Sequence, residues 1–420
     1  MGVDSGTIVM LGCFDTKGED FSLLRERIIT QGQPVFSINV GVKGTTSLFP
    51  VDIEAADVAA AAGRTLDELR SLGDRGVAVE EMGRGAAMVM KRLFGGDHVA
   101  GVIGMGGGGG THIALTAMQA VPFGIPKVCL STVATRDLSM QVGSADIALF
   151  PSVVDIGGIN SISRITIGHA ASAICGMVRG RQTAEADHAE TKGRIAISMF
   201  GNTTACVNAC TTLLRGLGYE VFSFHANGAG GRTMESLIAG RYFDGVLDIT
   251  TTELADELCG GVCSAGPHRM TAAAKQGIPQ VIVPGCMDMV NFGTMESVPA
   301  QYRDRFLYSW APDVTLMRTD EAENIQLGEQ FALKANALPK GTVVLLPLHG
   351  LSQLDAEGGL FHAPPVNRVL FKSIREHVDP SVKVAEVPHH INDREFAAVA
   401  VDTLLGLIRG SGAADNHLTG

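Results

Sequence analysis

The stretch Val99-Ala100-Gly101-Val102-Ile103-Gly104-Met105-Gly106-Gly107-Gly108-Gly109-Gly110-Thr111 decides the fold. A short apolar run rich in β-branched residues passes through five consecutive glycines into an amphipathic stretch over residues 113–120. Strand, glycine turn and helix in that order are the unit of a parallel α/β sheet. Glycines let backbone N–H groups approach a phosphate or carboxylate closely, and the helix N-terminus behind them adds partial positive charge. Gly106, Gly107, Gly108, Gly109 and Gly110 are therefore candidate nucleotide-binding residues, with Thr111 capping the helix. The plain alternative is a flexible loop, which must carry the ordering entropy of five glycines. Gly104, Gly106 and Gly109 fit G-x-G-x-x-G, but residues 128–132 offer no acidic side chain to a ribose. The dipeptide Gly-Lys is absent from the chain, which excludes a Walker A loop.

The same phrase recurs outward from this point. Residues 7–12 read as a strand, Phe21, Leu24 and Ile28 share a helical face, and residues 35–40 read as the next strand. In the second half, residues 195–200 precede Gly201-Asn202-Thr203-Thr204, a helix to about residue 218, and a strand over 221–225. Gly32 matches Gly218, Gly101 matches Gly245, and Gly124-Ile125-Pro126 matches Gly277-Ile278-Pro279. The expectation is an α/β protein of two Rossmann-like, doubly wound lobes with parallel sheets, related by internal duplication; the alternative is the general likeness of all βα units. The first lobe spans 1–183, with an insertion over about 42–97 as a cap. The second spans 184–410, and 411–420 is a frayed tail.

Composition narrows the partners. Thirty-three basic residues against 44 acidic give a net charge of −11, and no basic block appears, which excludes a general nucleic-acid binder. Glycine supplies 52 of 420 residues, well above the usual ~7%, without a collagen period. The eight cysteines are scattered, which reads as reduced core residues in a cytoplasmic protein. No basic leader opens the chain and no apolar run is long enough to span a bilayer, so no membrane is expected.

Further residues carry chemistry. Asp15 and Thr16 follow the first strand, where open α/β sheets bind ligands, and Thr16-x-x-Glu19 is also a capping box. Thr250-x-x-Glu253 is another. Asp15 and Asp155 are candidate magnesium ligands, since that ion takes one or two carboxylates beside phosphates. In the second half, Asn202, Thr203, Thr204, Gly228, Gly230, Gly231 and Arg232 are candidate ligand contacts. His225 and Glu235 are candidates for acid–base roles. His349, Ser352 and Asp355 have triad chemistry without a nucleophile elbow, and Asn392-x-x-Glu395 reads as a helix start.

Longer strings carry a resemblance. Gly12-Cys13-Phe14-Asp15-Thr16-Lys17, the glycine turn, Ser152-Val153-Val154-Asp155-Ile156-Gly157-Gly158-Ile159-Asn160 and Gly176-Met177 stand in the first half. Leu247-Asp248-Ile249-Thr250-Thr251-Thr252-Glu253, Ser264-Ala265-Gly266-Pro267, Arg269, Asp288-Met289-Val290-Asn291-Phe292 and His390-Ile391-Asn392-Asp393 stand in the second. Together they resemble the ATP-binding region of the tomato mosaic virus resistance protein family and its uncharacterised bacterial relatives. The resemblance implies a two-lobed Rossmann-like protein that binds ATP with Mg2+ and forms a dimer or higher homo-oligomer. The plant members carry a fused TIM-barrel domain, which implies a separate TIM-barrel partner protein for a bacterial member. Two positions depart from the pattern: Arg136 stands where glycine is usual and His268 where an acid is usual.

The expected function is binding of ATP, or a related small phosphorylated ligand, in a cleft between two lobes. Two alternatives stay open: an enzyme acting on a phosphorylated or carboxylated metabolite, and a non-catalytic interaction module stabilised by nucleotide.

Overall fold

The computed structural model describes residues 6–94, 99–184 and 191–415. The chain divides into two compact units, Met1–Ala189 and Glu190–Gly420. The first unit runs β1 (Thr7–Gly12), α1 (Phe14–Ile29), β2 (Val35–Asn39), α2 (Ala55–Ala61), α3 (Leu66–Ser71), α4 (Arg75–Leu93), β3 (Val99–Gly106), α5 (Gly108–Gln119), β4 (Lys127–Ser131), α6 (Ser139–Val142), β5 (Ala148–Pro151) and α7 (Ser161–Ala184). Its sheet is wholly parallel in the order β2-β1-β3-β4-β5.

The second unit runs β6 (Arg194–Met199), α8 (Thr204–Gly216), β7 (Glu220–His225), α9 (Ala229–Ala239), β8 (Gly245–Thr250), α10 (Glu253–Cys259), α11 (Ala272–Gln276), β9 (Gln280–Gly285), β10 (Met289–Phe292), β11 (Leu307–Ala311), β12 (Val314–Arg318), α12 (Glu321–Ala335), β13 (Thr342–Pro347), α13 (Pro364–His377), β14 (Lys383–Val387) and α14 (Arg394–Asp415). Its main sheet is parallel in the order β14-β13-β9-β8-β6-β7. A separate antiparallel sheet, β10-β12-β11, is inserted between β9 and β13. Counted within each unit, both main sheets begin second-first-third-fourth-fifth. That shared order is what internal duplication requires.

Both faces of each sheet are covered. Along β1, Val9 and Leu11 join a core with α4 and α5, while Ile8 and Met10 join another with α1 and α7. In β6, Ile195 and Ile197 face α8 and α14, and Ala196 faces α9 and α11. This is why the strands read as continuous apolar runs. Truncating Leu11, 1% exposed, to alanine costs about 2–5 kcal/mol.

The flexible-loop alternative for the glycine run does not hold, and four local expectations are corrected. In that run β3 continues to Gly106 and α5 begins at Gly108. A Cβ on Gly104 would lie 2.7 Å from Ala114 Cβ, and one on Gly106 2.8 Å from Gly110 Cα. These two glycines let helix and strand approach. Thr111 does not cap α5; Gly107 holds that position, and the buried Thr111 hydroxyl meets Ser131 Oγ at 2.6 Å, tying α5 to β4. The insertion is not a cap: α4 lies beside α5 and places Met82, Ala86 and Val89 in the same core as Val9. No expected capping box forms at Thr16 or Thr250: Cys13 precedes α1 and Thr252 precedes α10. Asn392, read as a helix start, stands two residues before α14 and bonds Asn202 O and Cys206 N at 3.0 and 3.2 Å. Helix α14 extends to Asp415, into the stretch read as tail; residues 416–420 lie outside the described residues.

Candidate functional site

In the order β2-β1-β3, the connections leave in opposite directions on either side of the gap between β1 and β3, where open α/β sheets bind ligands. A cavity of about 480 Å3 opens there. Cys13 reaches it from the junction after β1, Asp15 and Thr16 from the first turn of α1, Lys43 from the segment after β2, and Gly109 and Gly110 from α5. The inserted helices add Arg70 and Arg75, and Leu69, Val79, Met82 and Ile113 give it an apolar wall.

The electrostatics of this cavity are one-sided near α5. The helix has 12 residues, no side-chain cap and no acidic residue in its first turn. Its first N–H groups therefore lack intrahelical acceptors, and its positive end is not offset by a carboxylate. A Cβ on Gly108 would meet nothing within 4 Å, so the approach is open. Arg75 Nη2 stands 3.8 Å from where a Gly109 Cβ would be. Its guanidinium makes no hydrogen bond or ion pair with any described residue. A bare cation set against the positive end of a helix is unfavourable unless an anion lies between them.

Asp15 sits opposite. Its Oδ2 accepts the Lys43 N–H at 2.8 Å, while Oδ1 is buried and accepts nothing among the described residues. Asp15 and Thr16 also line an adjoining cavity of about 410 Å3 with Lys17 and Gly157. Asp155 is exposed, accepts its neighbour Ile156 N–H at 2.9 Å, and lines neither cavity. The two proposed magnesium carboxylates are thus not joined in one cavity. Among the described residues no cluster of three or more His, Cys, Asp or Glu is arranged to hold a metal ion. Burial, and then Asp15, push the Cys13 thiol up to about 11, which keeps it protonated and a poor nucleophile.

The second unit uses its glycine segment differently. Gly228, at φ 85°, donates its N–H to Glu253 Oε1 at 2.7 Å, and Gly230 N–H goes to Asn227 Oδ1 at 3.1 Å. A Cβ on Gly231 would collide with the Glu253 carboxylate. In place of an external anion, the nest holds the chain's own Glu253. Arg232 donates to Ser264 O at 3.0 Å. Glu235 accepts the N–H groups of Met270, Thr271 and Ala272 at 2.7, 3.0 and 2.8 Å, so both its oxygens are taken by the start of α11. Thr203 is buried with its hydroxyl 2.7 Å from Thr250 Oγ1, joining the ends of β6 and β8. Thr204 bonds back to Gly201 O at 3.0 Å.

Beneath the nest lies a buried ionic cluster that the sequence reading missed. Arg269, 1% exposed, grips Asp248 through Nη1 at 2.5 Å and Nη2 at 2.6 Å, and pairs with Glu253 through Nε. Glu235 stands 3.4 Å away. Burial works against the guanidinium charge, but Asp248, Glu253 and Glu235 outweigh it and hold Arg269 protonated. The signal was present: Asp248 stands inside an otherwise apolar strand.

No hydrolytic triad forms. Ser352 Oγ is fully buried and donates to Asp288 Oδ2 at 2.7 Å. His390 Nε2 meets the Ser352 carbonyl at 2.9 Å, not its hydroxyl. Asp355 accepts from Leu351 N and Asn367 Nδ2 at 2.8 and 2.7 Å.

The family UPF0261, described as an uncharacterised protein family, matches the chain with its N-terminal domain over residues 6–183 and its C-terminal domain over 192–408. The chain belongs to UPF0261. It is 44% identical over 405 residues to a UPF0261 protein of Clostridium tetani, covering 96% of this chain and 98% of that one. A UPF0261 protein of Mesorhizobium japonicum is 40% identical, covering 96% and 99%. The ToMV resistance protein Tm-1(GCR237) of Solanum lycopersicum is 36% identical over 96% of this chain but only 56% of its own length. The resemblance to the tomato proteins thus extends across both units. No helix among the described residues is long and apolar enough to cross a membrane.

Proposed function

We propose that this UPF0261 member binds a phosphorylated nucleotide, with ATP the foremost candidate, in the cavity of the first unit. One observation carries the reading: the uncapped, acid-free glycine N-terminus of α5 faces an Arg75 guanidinium that has no partner among the described residues. A phosphate between them receives amide hydrogen bonds from Gly108 to Gly110 and a charge-assisted bond from Arg75. Arg70 and Lys43 line the same cavity and extend the positive rim. Leu69, Val79, Met82 and Ile113 offer an apolar wall to the base. The volume, about 480 Å3, lies within the range of small-molecule sites.

Magnesium fits through a single carboxylate. Among the described residues, the unpartnered, buried Oδ1 of Asp15 is the one orphaned acid oxygen on a residue lining this cavity. That suits an ion held mainly by phosphate oxygens and water. When bound, the ion would neutralise phosphate charge; Thr16 beside it offers a hydroxyl to the ligand.

The test is ATP titration by calorimetry, with and without Mg2+. Gly109→Val adds a branched side chain where Val79 and Arg75 already crowd, and a folded variant is expected to bind little or no ATP. Unchanged affinity would sink the assignment. Phosphate release measured on the same samples separates an enzyme from a nucleotide-stabilised module.

A further inference from the structure

The second unit carries a cavity of a different kind, about 280 Å3, at the carboxyl ends of β6 and β7. Phe200 and His225 stack at its edge with centroids 5.2 Å apart and planes at 30°. Trp310, at the inserted antiparallel sheet, lines the same space. Among the described residues, no Asp, Glu, Lys or Arg lines it. The polar groups there are chiefly amides. Asn202 and Asn291 line it, are 2% and 1% exposed, and each carries a buried Oδ1 that accepts no hydrogen bond among the described residues. Asn291 is oriented by its Nδ2, which donates to Asp256 Oδ2 at 2.8 Å and Thr252 Oγ1 at 3.3 Å.

Buried carbonyl oxygens are normally paired, and an orphan costs stability. Two orphans on residues of one cavity mark a place that lacks its donors. A charged ligand finds no counter-ion there, and a purely aliphatic one leaves the oxygens unpaired. We infer that this cavity binds an uncharged, planar heteroaromatic ring carrying N–H donors: a nucleobase, free or as its nucleoside. The ring lies against Phe200, His225 and Trp310, where stacking is favourable, and its N–H groups go to Asn202 and Asn291. A neighbouring hollow of about 530 Å3 shares Gly201 and Asn202 and is lined by Asn208, Gln353 and Asn392. Among the described residues its lining also holds no Asp, Glu, Lys or Arg, which suits the hydroxyls of a sugar more than a phosphate. The inference stands apart from the phosphate reading of the first unit.

Trp310 is the chain's single tryptophan, so its emission reports on this cavity. The full chain is titrated with the four common nucleosides and with their free bases. The expected result is a saturable emission change with at least one of them that excess Mg-ATP leaves in place. Val262 is 66% exposed and lines the cavity; Val262→Phe puts a larger side chain at its edge, narrows it without entering the core, and should weaken binding at least tenfold. Asn202→Ala should weaken it severalfold. Binding of free base and nucleoside alike points to the ring alone, and preference for the nucleoside engages the neighbouring hollow; both support the site. Absence of saturable binding by emission and calorimetry at millimolar ligand overturns it. So does a signal that survives Val262→Phe with unchanged affinity, or one that Mg-ATP competes away.

Discussion

The third strand of each main sheet leads into a helix, and the two units finish that junction in opposite ways. After β3, Gly107 opens α5 with no acid in its first turn. After β8, Thr252 opens α10 with Glu253 and Asp256 in its first turn, both fully buried. One helix end is left positive and open beside Arg75. The other is neutralised from within and roofed by the Arg269 cluster. The same strand order thus leaves an open, acid-free helix end in one unit, while the other places carboxylates in its own core.

The largest effect should come from breaking the internally neutralised junction. Arg269→Met removes the cation that pairs with Asp248, Glu253 and Glu235 and leaves their buried carboxylates without that counter-ion. Removing one member of a buried ionic group typically costs about 3–5 kcal/mol. Denaturant unfolding of the variant should show that loss, and a difference under about 1 kcal/mol, the size of an exposed ion pair, would mean the cluster is not a structural keystone. Asp248→Asn keeps the hydrogen-bonding shape and should lose less.

The open junction is more forgiving to the fold and less so to the ligand. Arg75→Ala removes an exposed side chain from the start of α4, so stability should stay within ~0.5 kcal/mol. ATP affinity should fall by roughly tenfold or more, as for a lost charge-assisted hydrogen bond. Raising the salt should weaken the parent protein more than the variant, because a screened cation is already missing. Equal affinity in both proteins would place the phosphate elsewhere.

Titration offers a third handle on the same contrast. Burial pushes the Asp256 carboxyl up to about 7, and burial together with Asp355 does the same to Asp288. Both lie in the second unit. An acid whose folded pKa exceeds its unfolded value near 3.9 binds more protons folded than unfolded between those values. The stability it contributes is full below about pH 4 and is lost as pH rises toward 7. The second unit should therefore lose stability from these groups between pH 5 and 7. Asp256→Asn should flatten the slope, read by denaturant midpoints at both pH values. A slope unchanged in that variant would show that its carboxyl titrates normally.

The legible part of this protein was its periodicity. Continuous apolar runs at residues 7–12 and 195–200 gave two-faced strands, and the glycine matches between halves foreshadowed a common strand order. Local polar chemistry was less legible, because its partners are distant in sequence. Thr111 reads as a cap but meets Ser131 on the next strand, and Glu253 reads as a capping acid but meets Gly228 and Arg269. Arg75 carries no mark in its own neighbourhood. It reaches α5 because α4 packs close, with Gly83 so placed that a Cβ would come 3.4 Å from Thr116. The Asn202–Asn291 pair was half visible: Asn202 stands in a turn, but Asn291 belongs to an inserted antiparallel sheet that no βα phrase announces.

The smallest expected effect makes the sharpest comparison, because it gives the first unit the second unit's solution. Gly108 is the first residue of α5, and a Cβ there meets nothing within 4 Å. Gly108→Asp places an acid at the positive end of the helix and near the unpartnered Arg75. The helix-end charge contributes about 0.3–1 kcal/mol, and replacing glycine lowers the entropy of the unfolded chain by a similar amount. The variant should unfold at slightly higher denaturant than the parent. It should also bind ATP more weakly, since the carboxylate occupies the ground a phosphate needs and repels what remains. A variant that gains stability while losing affinity identifies α5 as a helix end left unneutralised for a ligand. If affinity survives beside the new carboxylate, the open glycine end is a feature of packing alone, and the two junctions differ in structure without differing in purpose.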